Sequence, residues 1–282
     1  MIHRILFFCA LIVVQALVAN QDLWKGEEYA KNSISQQASA DDFLQEMSLE
    51  GVKTILDVGC GDGKITAAMA RAVPGGRVVG VDISPSMIEV ARDQFFVLKN
   101  LEFQIQDAAK LGFEGEFDLI TSFTVMQWVL EQAEALRCFE RALKPGGKLW
   151  IQMPTGLPKA MEEVLKKTIE SKQWKEYFVS FKAPWRFYQP EEYQAMLQEA
   201  QLDITRLSVG TKHEKFPSRA AFHGFLKQWF PYLRPLETDQ KDQFLTELLD
   251  RYLDLLPLDE QGRVSFIVDR LEVEAVKAPH HD

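Results

Sequence analysis

From residue 52 onward the chain alternates short apolar, β-branched runs with helical stretches, and that alternation admits few folds. Residues 52–58 form the first such run and end in the cluster Gly59-Cys60-Gly61-Asp62-Gly63. A helical stretch, residues 64–72, is stopped by Pro74-Gly75-Gly76. Residues 77–82 read as a second strand, and Ser84-Pro85 opens a helix through Phe96, with proline in the first turn where its missing N–H costs nothing. Residues 101–106, 117–122 and 148–153 read as the third, fourth and fifth strands, with helices between them. This pattern predicts an α/β fold: a Rossmann-like, mostly parallel sheet with helices on both faces. Ligands of such sheets bind beyond the carboxyl ends of the strands. Asp57, Asp82, Asp107 and Ser122 all fall there.

The second half is read more coarsely. Residues 158–177 are expected to form one amphipathic helix, broken before Ala183-Pro184, and Pro190 opens another through Ala200. Residues 202–209 and 264–276 alternate apolar and polar side chains, as antiparallel edge strands do. Between them residues 218–256 are mostly helical. The expected organisation is a leader at 1–19, N-terminal lid helices at 20–51, a nucleoside-binding core at 52–154, and a C-terminal part at 155–282. That last part carries a helical substrate cap over about residues 216–258.

The first residues differ from the rest. A basic start at Met1 to Arg4, the apolar run of residues 5–19 and small residues near Ala16 and Ala19 read as a secretory signal peptide or, uncleaved, a short membrane anchor. The run is shorter than the roughly 20 residues of a spanning helix. The alternative is a buried N-terminal helix. An exported chain, secreted or periplasmic, is therefore expected, or a cytoplasmic one if the leader does not function. Cysteine usage pulls the other way, because Cys60 and Cys138 sit singly in a glycine loop and a helix, without a disulfide pattern. A net charge of −9 without a basic stretch argues against nucleic acid as a partner. The expected state is a monomer that touches a membrane only through the leader.

The glycine spacing selects among nucleotides. Glycines at 59, 61 and 63 are not the dinucleotide fingerprint, whose third glycine would stand at Lys64, and no Gly-Lys-Ser/Thr ending marks a phosphate loop. Gly-x-Gly-x-Gly still lets the backbone approach a ligand closely. Asp82, at the end of the second strand, is placed to accept both ribose hydroxyls, and Asp107 stands where an adenine amino group could be bound. Each feature alone also has a structural explanation, a tight turn or a helix cap. Their coincidence at three successive strand ends points to a nucleoside.

Residues 56–63 (LDVGCGDG) resemble the first motif of class I S-adenosylmethionine (SAM) methyltransferases, and residues 79–84 (VGVDIS), with Met87 and Ala91, resemble the second. Residues 117–122 and 143–149 match later motifs. The resemblance implies SAM as cofactor, held by Gly59, Gly61, Asp82, Ile83, Asp107 and Ala108, with Asp57, Met87 and Ser122 in the same set and Cys60 as a small loop filler. A finer similarity, from about Trp24 to the end, is to the trans-aconitate 2-methyltransferase family. It covers Trp24 to Tyr29, residues 122–128 (SFTVMQW), Ile151 to Pro154, and residues 222–236. Insect juvenile-hormone acid methyltransferases and the malonyl-carrier-protein methyltransferases share the Gln-Trp turn. All three groups esterify a carboxylate, which implies methylation of a small or medium carboxylic acid, free or carrier-bound. A cofactor-binding effector that acts without turnover is the rival reading.

A carboxylate is a nucleophile at neutral pH, so no His-Asp or Cys-His pair is required. No metal is expected, since the histidines show no ligand spacing. Gln127 and Trp128 are expected to shape the acceptor side directly above the cofactor, with Tyr29 reaching in from the lid. Trp229 belongs to an apolar helical stripe with Phe222, Phe225 and Leu226 that packs or lines a pocket. His223, Lys227, Arg234 and Arg186, the last beside Tyr188, are the cations available to an anionic acceptor.

Overall fold

The computed structural model describes Trp24, Gly26 and residues 47–279. The leader, nearly all of the lid segment including Tyr29, and the terminal residues 280–282 lie outside the described residues.

Seven strands form one sheet in the order β3-β2-β1-β4-β5-β7-β6. They are β1 (Thr54–Val58), β2 (Arg77–Asp82), β3 (Leu101–Ile105), β4 (Phe117–Phe123), β5 (Leu143–Pro154), β6 (Leu202–Phe216) and β7 (Val264–Lys277). β1 to β5 are parallel, and β7 runs antiparallel to both of its neighbours. Helices α1 (Lys64–Ala72), α2 (Pro85–Phe95) and α3 (Gln132–Ala142) make the crossovers. Ser84 starts α2, its hydroxyl accepting from the Met87 N–H at 3.2 Å ahead of Pro85.

Successive residues of a strand face opposite sides, so β1 feeds two cores. Leu56 and Val58 join Leu136 and Phe139 of α3 on one face, together with Tyr193 and Leu197 of α6 (Pro190–Glu199). Ile55 joins Met69 and Ala70 of α1 on the other, beside Met47. Each of these aliphatic side chains contributes about 1.5–3 kcal/mol by leaving water.

Three expectations of the second half are corrected. β7 is not an edge strand, for it lies between β5 and β6. Its alternation reflects one apolar and one charged face: Leu271, Val273 and Ala275 enter the main core, whereas Glu272 and Glu274 on the opposite face pair with Arg206. β6 continues to Phe216, beyond the polar residues that seemed to end it, because β7 pairs with it along the whole length. The single helix expected over 158–177 is two, α4 (Lys159–Ile169) and α5 (Lys175–Phe178). Between them Trp174 is drawn into the cap core, its indole N–H donating to Glu247 at 2.7 Å.

The cap holds α7 (Arg219–Trp229), a short 3-10 turn (Pro231–Leu233) and α8 (Thr238–Leu255). Its core is larger than the expected insertion. Met161 and Leu165 of α4 and Phe216, Val264 and Phe266 from the far ends of β6 and β7 pack with Phe222, Phe244 and Leu248.

Candidate active site

The parallel strands progress outward from β1 in one direction and from β4 in the other, so the sheet's switch point lies between these two. Two loops meet there. Gly59 has φ +76°, and a Cβ on it would lie 2.2 Å from a methyl of Val125 in the turn after β4. Only glycine permits that contact. Gly61 has φ +53° and an open side, with nothing within 4 Å of where its Cβ would be. Its backbone thus offers the close approach that an adenosyl amino acid needs.

The loop is tied to the neighbouring strand end. The Gly59 and Cys60 N–H groups donate to Val81 O at 2.7 and 3.0 Å. Asp82 accepts from Gly61 N at 3.0 Å through one carboxylate oxygen and from Ser84 N at 2.9 Å through the other. Next to it Ile83 is 65% exposed, an apolar surface suited to the face of a purine. Asp107 follows β3 and caps the short turn Ala108–Lys110, accepting from Ala109 N at 3.0 Å and pairing with Lys110 at 3.2 Å. A left-handed glycine loop open on one side, an acidic group fixed at its rim and an exposed aliphatic side chain beside it fit a nucleoside with an unphosphorylated ribose.

The other residues expected around the cofactor lie deeper. Asp57 is buried beneath the loop, where Thr66 and Thr121 hydroxyls donate to its two oxygens at 2.6 and 3.0 Å. Burial pushes its pKa up to about 6 against those two hydrogen bonds, and Asp82 adds to the rise. Ser122 donates to Val58 O at 3.0 Å and so laces β4 to β1. Met87 and Ala108 are buried. Burial, with Asp82 and Asp57 nearby, pushes the Cys60 thiol well above its ordinary range, which matches a filler rather than a nucleophile.

The turn after β4 is strained. Thr124 has φ +58°, a conformation that costs a β-branched residue about 1–2 kcal/mol. Three contacts hold it: its N–H donates to Gln152 O at 2.7 Å, its carbonyl accepts from Gln127 Nε2 at 2.9 Å, and its hydroxyl lies 3.4 Å from Arg270 Nη1. Gln127 is buried, and its Oε1 has no hydrogen-bond partner among the described residues. The Gln127 carbonyl accepts from Arg186 N at 2.8 Å, and Gln132 Nε2 donates to Arg186 O at 3.2 Å. The irregular segment through Trp185 is thereby fixed against the turn.

On this scaffold stands a row of rings. Trp128 meets Trp24 edge-on at 5.4 Å and Trp185 at 5.4 Å, and Trp185 meets Trp229 at 6.2 Å and Tyr232 at 6.0 Å. Four of the chain's six tryptophans are spent on this one wall. Trp185, Thr124 and Arg270 were missed in the sequence. Only the high tryptophan content hinted at the first, and nothing marked the other two.

The remaining expected acceptor residues do not gather there. Tyr188 is core, packed beside Tyr193, and Arg186 is exposed with its guanidinium 4.5 Å above the Tyr188 ring. His223 faces Asp242 across the α7–α8 seam at 3.8 Å, and Lys227 binds the same carboxylate at 2.6 Å. Burial lowers the His223 pKa, so it is neutral at pH 7.

Residues 49–201, more than half of the chain, match the family model described as a methyltransferase domain. The chain is 28% identical over 262 residues to trans-aconitate 2-methyltransferase of Methylobacterium radiotolerans, covering 90% of this chain and 98% of that one. Among solved structures it is similar to YcgJ of Bacillus subtilis, with TM-score 0.58 at 21% identity, covering 86% of this chain and 99% of that one. It is also similar to Haemonchus contortus phosphoethanolamine N-methyltransferase 2, crystallised with phosphomonomethylethanolamine and S-adenosylhomocysteine, with TM-score 0.55 at 18% identity, covering 90% and 57%. With its parallel core, glycine loop and acidic strand ends, the chain belongs to the methyltransferase-domain family and is a class I SAM-dependent methyltransferase.

Proposed function

We propose that this enzyme methylates a carboxylate oxygen of a small or medium organic acid. The observation that carries the reading is the chemistry of the residues at the β4 turn and along the row of rings that starts there. Thr124, Val125, Gln127, Trp128, Trp185 and Trp229 include no group that takes a proton at neutral pH. Among the titratable groups around the loop, Asp57 is buried and held by two threonines, Asp82 is tied to Gly61 N and Ser84 N, and the Cys60 thiol is kept protonated. Such a site suits an acceptor that is already ionised. The sequence similarity to trans-aconitate 2-methyltransferases, whose name specifies an acid, supports the same class.

In this reading Gly59, Gly61, Asp82, Ile83 and Asp107 hold SAM, which supplies a methyl group on a positively charged sulfur. Asp82 accepts the ribose hydroxyls, and its bond to Gly61 N keeps loop and carboxylate in one register. Gln127 fixes the turn, Trp128 and Trp185 exclude water, and alignment rather than proton transfer lowers the barrier.

The test is to supply the full chain with methyl-labelled SAM and a panel of carboxylic acids, and to score label released by base as volatile methanol. Base-labile label on any acid is expected. Label that stays fixed after base, on an amine or carbon acceptor, would overturn the reading.

A further inference from the structure

The strained turn after β4 is gripped from a strand far along the chain. Arg270 lies on β7, on the face that carries Glu272 and Glu274, paired with Pro154 of β5 on one side and Gly210 of β6 on the other. Its Nη1 donates to Gln152 Oε1 at 3.1 Å and, at the long end of the range, to Thr124 Oγ1 at 3.4 Å. Its Nη2 donates to Glu214 Oε1 at 2.6 Å. Gln152 is also the residue whose carbonyl accepts from the Thr124 N–H, and its Nε2 donates to Glu272 Oε1 at 3.3 Å. One guanidinium thus joins β5, β6 and the turn. Only 14% of the Arg270 side chain is exposed, whereas Arg206, Arg219 and Arg251 each keep 38% in their ion pairs.

Stability does not account for that burial. A mostly buried ion pair stabilises a fold no more than an apolar pair of the same volume, because desolvation offsets the attraction. What an apolar pair cannot supply is a planar fork whose arms reach separate partners. Thr124 needs such a hold, since a β-branched residue at φ +58° returns to negative φ unless its surroundings prevent it. Both halves of the site depend on that conformation. It sets Val125 against Gly59 of the donor loop, and it presents the Thr124 carbonyl to Gln127 Nε2, next to Trp128. We propose that Arg270 is a positioning residue for methyl transfer, holding the turn after β4 in its left-handed form so that Val125, Gln127 and Trp128 keep their places. Glu214 is its counter-charge and fixes the guanidinium from β6. The role goes beyond the carboxylate reading and is the same for any acceptor.

The experiment uses the full chain and three variants: Arg270→Lys, Thr124→Gly and the two combined. Lysine keeps a positive charge opposite Glu214 but loses the fork, so the fold is retained while the turn is released. Hydrogen exchange, read by mass spectrometry, reports the turn through peptides covering residues 122–130. Peptides from β6, β7 and the cap helices report the rest. In Arg270→Lys the turn should exchange about tenfold faster, the effect of one charge-assisted hydrogen bond, with β6, β7 and the cap within about twofold of native. Glycine at 124 has no strain to be held, so the combined variant should exchange within about threefold of Thr124→Gly alone. Turnover is measured with methyl-labelled SAM and the carboxylic-acid panel. For the acid methylated fastest, kcat should fall about tenfold in Arg270→Lys while the KM for SAM stays within about twofold, as loss of alignment predicts. Faster exchange spread evenly over β6, β7 and the cap would reduce Arg270 to a structural ion pair, and an unchanged turn would overturn the grip. Native kcat beside a loosened turn would overturn the part in methyl transfer. If no acid accepts a methyl group, the carboxylate reading fails, and the exchange pattern still decides whether Arg270 holds the turn.

Discussion

The donor end of the site is drawn from residues 57–108, one stretch in which each strand passes directly into the loop that carries its functional group. The aromatic wall to which we assign the acceptor is drawn from four separated places: Trp24 before the core, Trp128 after β4, Trp185 between helices and Trp229 in the cap. The first is fixed by local backbone geometry and nearest-neighbour strand pairing. The second exists only once the tertiary fold has closed. The donor end should therefore fail sharply when a single residue changes, whereas the wall should lose affinity gradually as rings are removed.

The largest expected effect belongs to Asp82. Its carboxylate holds Gly61 N and Ser84 N and, in the proposed reading, both ribose hydroxyls. Replacing it with Ala removes two charge-assisted hydrogen bonds to the ligand, so SAM affinity should drop by about 4 kcal/mol, or about 1,000-fold. Titration calorimetry measures this directly. An unchanged Kd would sink the ribose assignment and, with it, the idea that the donor end is a single-residue site.

Gly59→Ala tests the seam where the two regions touch. The new methyl meets Val125 at 2.2 Å in a left-handed backbone, so overpacking and φ strain together should cost about 3 kcal/mol. Denaturant unfolding reads the loss. Adding Val125→Ala, which removes the methyls at 2.2 and 2.4 Å and leaves Cβ at 2.8 Å, should recover part of the steric cost and leave the φ part, and the absence of any recovery would mean that the loop and turn are not coupled by that contact.

Asp57 gives the comparison a pH axis. Its folded pKa is about 6, above the ordinary carboxyl value of 3.8, so the folded state binds its proton more tightly than the unfolded one. That contribution is complete at low pH and is lost as pH rises between about 4 and about 6, amounting to about 3 kcal/mol at 1.36 kcal/mol per unit. Asp118 does not mask it. Its carboxylate, opposed by desolvation but held by Lys144, Lys53 N and Thr54, titrates at about 2, so its stabilisation disappears only as pH falls below the window. Thermal unfolding across pH 4 to 7 should show the slope in the native chain and not in Asp57→Asn. An equal slope in both would place the proton elsewhere.

The same contrast explains what was legible in the sequence. The glycine spacing, Asp82 and the first five strands are local signals, with turn chemistry and alternation visible within a dozen residues, and the parallel sheet follows them. The position of β7 was hidden because alternation reports one polar face, and Glu272 and Glu274 on that face are answered by Arg206, 66 and 68 residues earlier in the chain. Trp185 sits in an irregular segment with no period of its own, so only the tertiary bonds from Gln127 and Gln132 to Arg186 reveal its place. The strain at Thr124 has no sequence signature, because nothing about threonine announces a positive φ.

Arg186 tests whether the two regions respond separately. Arg186→Gln, which removes an exposed cation stacked on Tyr188 and keeps the backbone bond to Gln127, should change the KM for the acid by less than about fivefold and leave SAM affinity untouched. A loss of SAM affinity would show that the β4 turn and the glycine loop respond as one unit, and the two-region description would then be wrong.

The smallest expected effect is at His223, and it decides whether the wall has an edge. His223 lies on the same helix as Trp229, but it faces Asp242 across the α7–α8 seam rather than the rings. It is neutral at pH 7, and Lys227 already binds Asp242 more closely. His223→Ala should therefore change kcat/KM for every acid by less than about twofold, with a stability loss near 0.5 kcal/mol, typical of a site outside the core. A loss of activity beyond tenfold would mean that the acceptor site extends around α7 to its Asp242 side, and the wall would then not end at Trp229.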